Sequence, residues 1–189
     1  MKVLALGGSG GMGRFSSYAI SNYTNVTKVT IADLNEANAK EFSNHFDDRF
    51  NGIGLDVTDK EHLEKVMSDH DIVLNTTGPF FKFGLPILKS AIKCKCHYFD
   101  ICDDWEPTEE MLKLNDEALK NDITAIVGLG ASPGISNLLG LKAMNELDEA
   151  ESIITGWDVS SAKPEDESSQ KGTNAAMEHG LQQISGEIK

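Results

Sequence analysis

The glycine cluster just behind the N-terminus limits this chain more than any other feature. Lys2-Val3-Leu4-Ala5-Leu6 is a short apolar run. It leads into Gly7-Gly8-Ser9-Gly10-Gly11-Met12-Gly13 and then into a stretch of helical character, Arg14 to Tyr23. Gly8-x-Gly10-x-x-Gly13 has the spacing of a dinucleotide fingerprint. In such a turn the first glycine permits the sharp strand-to-helix reversal. The second lets a pyrophosphate come close to the backbone, and the third lets the helix pack on the strand. Unpaired amides at the helix start offer the phosphates hydrogen bonds and a partial positive charge. Spacing alone is a weak signal, so context matters. A second apolar run, Val29-Thr30-Ile31-Ala32, ends in Asp33, about twenty residues beyond Gly13. A carboxylate at that place hydrogen-bonds the adenosine ribose hydroxyls. Gly8, Ser9, Gly10, Gly11, Met12 and Asp33 are the first candidates for cofactor contacts.

The rest of the chain alternates strand and helix patterns. Asn35 to Phe46 reads as a helix, Asn51 to Leu55 as a third strand, and Thr58-Asp59-Lys60-Glu61 as a capping box that opens the next helix. Ile72-Val73-Leu74 is a fourth strand, and Gly84 to Lys93 a helix in which Pro86 belongs in the first turn. His97 to Ile101 is a fifth strand. One helix carries Met111, Leu112, Leu114, Ala118 and Leu119, and Ile123 to Val127 is a sixth strand. A second glycine-rich loop, Gly128 to Gly134, precedes a helix from Ile135 to about Leu147. This order specifies an α/β fold with a doubly wound parallel sheet, the Rossmann arrangement, over residues 1–150. Residues 151–189 read as the start of a second, α+β domain. They hold a strand from Ser152 to Val159 with Trp157 on one face, a polar loop from Ser160 to Gly172, and a helix from Thr173 to Ile184.

Ligands of such sheets bind outside the carboxyl ends of the strands, so the loops after the strands share one rim. Asp56 and Val57 follow the third strand, where side chain or amide meets adenine; a plain turn or helix cap is the competing role. Asn75-Thr76-Thr77-Gly78-Pro79 follows the fourth strand and lines the ribose beside the nicotinamide. Asp100 follows the fifth and is the candidate catalytic residue, orienting substrate or relaying a proton. Asp103 and Asp104 read as helix caps. Ser132-Pro133-Gly134 opens a helix and offers amides to a carboxylate or carboxamide; a structural hinge between domains is the competing role. Glu178-His179 sits on the late helix, where the histidine reads as a surface or packing residue. Asp33 favours the free 2′-hydroxyl of NAD and is followed by Leu34 rather than by an arginine that would welcome a 2′-phosphate. Arg14, one step past the last glycine, points the other way. NAD is the expected cofactor, with NADP possible.

The chain carries 30 acidic and 17 basic residues, a net charge of -13. It has no basic stripe, which argues against nucleic acid as a partner. No apolar stretch approaches the roughly 20 residues of a membrane span, and no basic-then-apolar leader opens the chain. The expected location is the cytoplasm. The three cysteines, Cys94, Cys96 and Cys102, read as reduced thiols in and beside a strand. Cys94-x-Cys96 has the wrong spacing for a zinc site, so no metal is expected.

Taken together, these motifs resemble the saccharopine dehydrogenase family of the reductase type, whose relatives include lysine dehydrogenases and carboxynorspermidine-type dehydrogenases. The resemblance rests on Gly8 to Gly13, on Asn75 to Phe80 with Gly84 close behind, and on His97-Tyr98-Phe99-Asp100-Ile101. Its most specific element is Gly130-Ala131-Ser132-Pro133-Gly134-Ile135-Ser136-Asn137. It covers about Met1 to Leu147, with a weaker echo at Glu178-His179-Gly180. The resemblance implies hydride transfer between NAD or NADP and a C–N bond, imine or amine, of an amino-acid-derived substrate. It implies substrate contacts at Phe80, Ser132, Pro133 and Gly134. It also implies a homodimer, and a second domain that is only begun here, as in a fragment of a longer chain. Two other readings compete. A short-chain-dehydrogenase-like enzyme needs Tyr-x-x-x-Lys, but Tyr18, Tyr23 and Tyr98 are followed four residues on by Asn22, Thr27 and Cys102. A non-catalytic, redox-sensing nucleotide-binding protein is the other.

Overall fold

A computed structural model describes residues 1–156. Six strands, β1 (Lys2–Leu6), β2 (Lys28–Asp33), β3 (Phe50–Gly54), β4 (Ile72–Asn75), β5 (His97–Asp100) and β6 (Ala125–Ile126), form one sheet in the order β3-β2-β1-β4-β5-β6. Every pair is parallel. This is the doubly wound order, and the strand sequence reverses direction between β1 and β4. Among the described residues seven helices connect and follow the strands: α1 (Gly11–Ser21), α2 (Glu36–Ser43), α3 (Lys60–Met67), α4 (Phe80–Cys94), α5 (Trp105–Leu112), α6 (Asn115–Lys120) and α7 (Ile135–Asn145).

The sheet is covered on both faces because its strands are apolar on both. Leu4 and Leu6 join Val73, Ile87, Leu88 and Met111 in one buried cluster. Val3, Val29 and Ile31 join Phe42 and Phe50 in another. Residues two apart share a face and neighbours do not, as the pleat requires. Tyr18, Phe42, Phe46 and Phe50 make a chain of ring contacts beneath α1 and α2, with centroids 4.3–5.7 Å apart. Burial pushes the Cys96 and Cys102 thiols up to about 11, so both stay protonated and unreactive at neutral pH.

Several elements differ from the sequence reading. Helix α1 starts at Gly11, inside the glycine cluster. Helix α4 starts at Phe80, four residues before the expected Gly84, so Pro86 lies inside the helix rather than in its first turn. The predicted box at Thr58 gives way to Asp59, whose side chain accepts from the His62 amide. Thr58 instead donates to Asp56. The long helix around Met111 is two helices, broken at Lys113-Leu114, with Met111 and Ala118 both in the core. Strand β6 keeps only two of the five expected residues. Residues 152–156 have no regular structure. The remainder of the expected strand with Trp157, the polar loop, the late helix and Glu178-His179 lie outside the described residues. No described helix is long and apolar enough to cross a membrane.

Candidate dinucleotide site

Parallel pairing brings the carboxyl ends of all six strands to one edge. Leu6 pairs with Ala32 on one side and Asn75 on the other, and Asn75 pairs with Asp100. The glycine turn, Asp33 and the loop after β4 therefore meet at the β1/β4 switch point. The sharp reversal is made by Gly7, with φ +67, and not by Gly8 as the motif suggested. Gly8 is instead a packing position, where a Cβ would stand 2.9 Å from the Ala5 carbonyl oxygen. Gly13 does what its motif position predicts: a Cβ there would lie 2.2 Å from the Gly7 carbonyl oxygen, so α1 rests directly on the turn.

Gly10 is different, because a Cβ there would meet the Gly7 carbonyl oxygen at 3.2 Å and otherwise open space. The first ladder bond of α1 runs from the Arg14 amide to the Gly10 carbonyl, 2.9 Å. The amides of Gly11, Met12 and Gly13 precede that ladder and are the donors a helix N-terminus presents to an anion. Across the switch point, Thr76 donates from its amide and its hydroxyl to the Leu6 carbonyl, at 2.9 and 2.8 Å. Next to it the Thr77 hydroxyl is buried with no hydrogen-bond partner. An open face at Gly10, free helix-start amides and an orphaned hydroxyl beside Gly7 fit a dinucleotide diphosphate. Gly10 to Gly13 would hold it, with Thr76 to Gly78 on the opposite wall.

Asp33 stands at the carboxyl end of β2, on the same rim. The Ser9 hydroxyl donates to its Oδ2 at 2.6 Å and the Asn35 amide to its Oδ1 at 3.3 Å. Beside it is a shallow, open depression of about 860 Å³ lined by Asp33 to Asn38 and Lys40. Asp56 is exposed on the neighbouring loop. Its Oδ1 accepts from both the hydroxyl and the amide of Thr58, and these bonds hold its carboxyl below the usual range. Val57 is half-buried against the core. The structure thus gives Asp56 the turn role that was one of its two expected uses.

Asn75 and Asp100 lie beneath the rim, fully buried. Asn75 Nδ2 donates to the Tyr98 hydroxyl at 3.0 Å, and Tyr98 donates to Asp100 Oδ2 at 2.8 Å. Asn75 Oδ1 accepts from the Thr77 amide at 3.0 Å. Asp100 Oδ1 accepts from the amides of Cys102 and Gly128, at 3.0 and 2.8 Å. The network fastens three loops to one buried carboxylate. Burial raises the Asp100 pKa, against the lowering effect of these donors. Asp100, the expected catalytic residue, is thus buried with both oxygens engaged, and in this network it orients loops. Tyr98 was missed as its hub. The signal was present, because residues 98 and 100 are two apart on a strand and so share a face.

Phe80 also departs from its expected substrate contact. With α4 starting there, its ring turns into the core and is 8% exposed. Pro79 is buried, and both Gly78-Pro79 and Ser132-Pro133 are cis. In the second glycine loop, Gly128 (φ +74) approaches Pro133, and Gly134 (φ +120) lies against Gly130. Asn137 Oδ1 accepts from the Gly134 amide at 3.1 Å at the start of α7. Ser132 is exposed, with Pro133 and Gly134 half-buried. Among the described residues no three His, Cys, Asp or Glu side chains lie together as metal ligands.

Comparison with known proteins agrees with this geometry. The family described as saccharopine dehydrogenase NADP binding domain matches residues 3–126. Saccharopine dehydrogenase [NADP(+), L-glutamate-forming] of Saccharomyces cerevisiae is 31% identical over 122 residues, 65% of this chain and 26% of that enzyme. The Schizosaccharomyces pombe enzyme of the same name is 28% identical over a stretch of the same length. The solved apo structure of the S. cerevisiae enzyme superposes with a TM-score of 0.65 at 28% identity, covering 77% of this chain and 31% of that one. The chain thus spans about a quarter of the length of the curated relatives it matches. By its family match, its sheet order and its switch-point turn, the chain belongs to the saccharopine dehydrogenase NADP-binding domain family.

Proposed function

We propose that this chain is the coenzyme-binding part of an NAD(P)-dependent oxidoreductase acting on a C–N bond of an amino-acid-derived substrate. The observation that carries the reading is the switch-point cleft. There the leftover amides of α1 and the open face of Gly10 stand opposite Thr76 and Thr77. The bound coenzyme supplies or accepts the hydride. The chain's own residues position it. Gly11, Met12 and Gly13 offer amides to the diphosphate, Asp33 accepts from the adenosine ribose, and Asp56 or Val57 borders the adenine. Asn75 and Asp100 set the Thr77 to Pro79 and Gly128 to Gly134 loops through Tyr98, and Ser132 to Gly134 borders the substrate side. Holding reactants in register is the main contribution asked of such a domain.

The similarity to saccharopine dehydrogenases supports an imine or secondary-amine substrate and a place in lysine metabolism. Residues 151–189 are read as the opening of a substrate and dimerisation domain. The acidic charge and lack of a basic stripe support a small-molecule partner in the cytoplasm rather than nucleic acid. Two measurements test the reading. Titration with NADH and NADPH gives saturable binding. Assay of the full-length gene product for NAD(P)+ reduction with saccharopine or lysine, and for NAD(P)H oxidation with an amine–aldehyde pair, gives turnover with one of them. Failure to bind either coenzyme rejects the proposal. Binding without turnover by the full-length gene product favours a redox-sensing role.

A further inference from the structure

The adenosine side of the site carries two charged groups of opposite sign, and Ser9 holds both. Ser9 is 8% exposed within the glycine turn. Its hydroxyl donates to Asp33 Oδ2 at 2.6 Å, and its carbonyl accepts from Arg14 Nε at 2.8 Å. The consequences for the two groups are opposite. Asp33 is fixed at the edge of the open depression, with the Asn35 amide on its second oxygen. Arg14 is drawn back against the protein, its guanidinium 4.5 Å from the centroid of the Phe42 ring. Lys40, the basic residue lining that depression, is paired with Glu36 at 2.5 Å. The lining therefore presents two carboxylates against one ammonium, and the unpaired charge is the carboxylate that Ser9 holds.

We infer that Ser9 is the positioning residue that makes this chain select NAD(H) over NADP(H), unlike the NADP named for its family. This rests on the reading that the cleft binds a nicotinamide dinucleotide. A fixed carboxylate accepts hydrogen bonds from a free ribose diol. A 2′-phosphate brings a charge of about −1.5 to −2 to the same place. Relief would require Asp33 to rotate away, and the Ser9 hydroxyl opposes that rotation. Arg14 would have to leave both Ser9 and Phe42 to answer the phosphate.

The test is equilibrium titration of the 189-residue chain with NADH and with NADPH at fixed ionic strength, by calorimetry or nicotinamide fluorescence. The ratio of the two dissociation constants is the readout, which a purely structural role of Ser9 would not move. The wild-type chain binds NADH at least about tenfold more tightly than NADPH. Ser9→Ala and Ser9→Gly each lower that ratio about threefold or more, and Asp33→Ala brings it to about one or below. Two variants guard against a misfolded substitution, and thermal melting reports whether each is folded. Equal wild-type affinities, or an unchanged ratio in a folded Ser9 variant, overturn the inference while leaving the dinucleotide site standing. Binding of neither nucleotide overturns both.

Discussion

Gly10 and Gly13 stand three residues apart in one turn, yet they tolerate a methyl group very differently. At Gly13 the added carbon would lie 2.2 Å from the Gly7 carbonyl oxygen and 2.6 Å from the Gly8 Cα, both backbone atoms. Gly13→Ala must push α1 off the turn, and overpacking of this kind costs about 1–3 kcal/mol or more. Urea denaturation of the variant measures that loss. At Gly10 the carbon meets one oxygen at 3.2 Å and otherwise fills the space a diphosphate would approach through. Gly10→Ala keeps its stability within about 1 kcal/mol and weakens NADH binding about tenfold or more. Titration beside the melt separates the two effects. The motif spacing identified both glycines. It could not show that Gly7 and not Gly8 takes the left-handed φ, because the three glycines in the four residues before α1, Gly7, Gly8 and Gly10, are alike in sequence and differ only in what surrounds them.

Elements are joined here by buried polar side chains as well as by apolar contact. Tyr98 on β5 bridges Asn75 at the end of β4 to Asp100, which holds the Cys102 and Gly128 amides. Tyr98→Phe keeps the ring but strips a partner from both Asn75 and Asp100. Leaving buried groups unpaired costs about 1–3 kcal/mol, and the thermal midpoint of the variant falls accordingly. His70, between α3 and β4, is a second such tie: Nε2 lies 2.8 Å from the Thr30 hydroxyl and Nδ1 2.8 Å from the Val66 carbonyl. Burial is the main cause that lowers its pKa below the usual 6.5, with Lys28 and Lys2 adding to it and the Val66 carbonyl and Asp69 opposing. Below 6.5 the unfolded chain takes up a proton that the folded chain refuses. Stability is therefore full above 6.5, falls as the pH drops toward the folded pKa, and levels off beneath it. Denaturation profiles between pH 7.5 and about 5 show this slope, and His70→Gln reduces it.

For the molecule as a whole, α7 is the helix least covered by the other described residues. It has no buried residue; Ile135, Leu138, Leu139 and Leu141 are each more than half exposed, as are Leu147 and Ile153 beyond it. An apolar surface of this extent drives association in water. The 189-residue chain on its own is expected to self-associate with rising concentration in sedimentation velocity. Leu138→Glu combined with Leu141→Glu suppresses that association without changing NADH affinity. The sequence showed α7 as a helix but not its exposure, because an apolar helix reads the same whether its neighbours are present or absent.

By itself the sequence determined the fold class, the alternation of strands and helices, the glycine turn and Asp33. Each of these is local: a period of two or of 3.6, a spacing, or an acid at the end of an apolar run. The tertiary structure alone decided that Asp100 and Phe80 face the core and not the cleft, that Ser9 ties Asp33 to the turn, and that Tyr98 is the hub beneath the rim. Those outcomes depend on which strand ends become neighbours and where each helix begins. Partners 23 or 24 residues apart, such as Asn75 with Tyr98 and Ser9 with Asp33, meet only when the parallel sheet has closed its register.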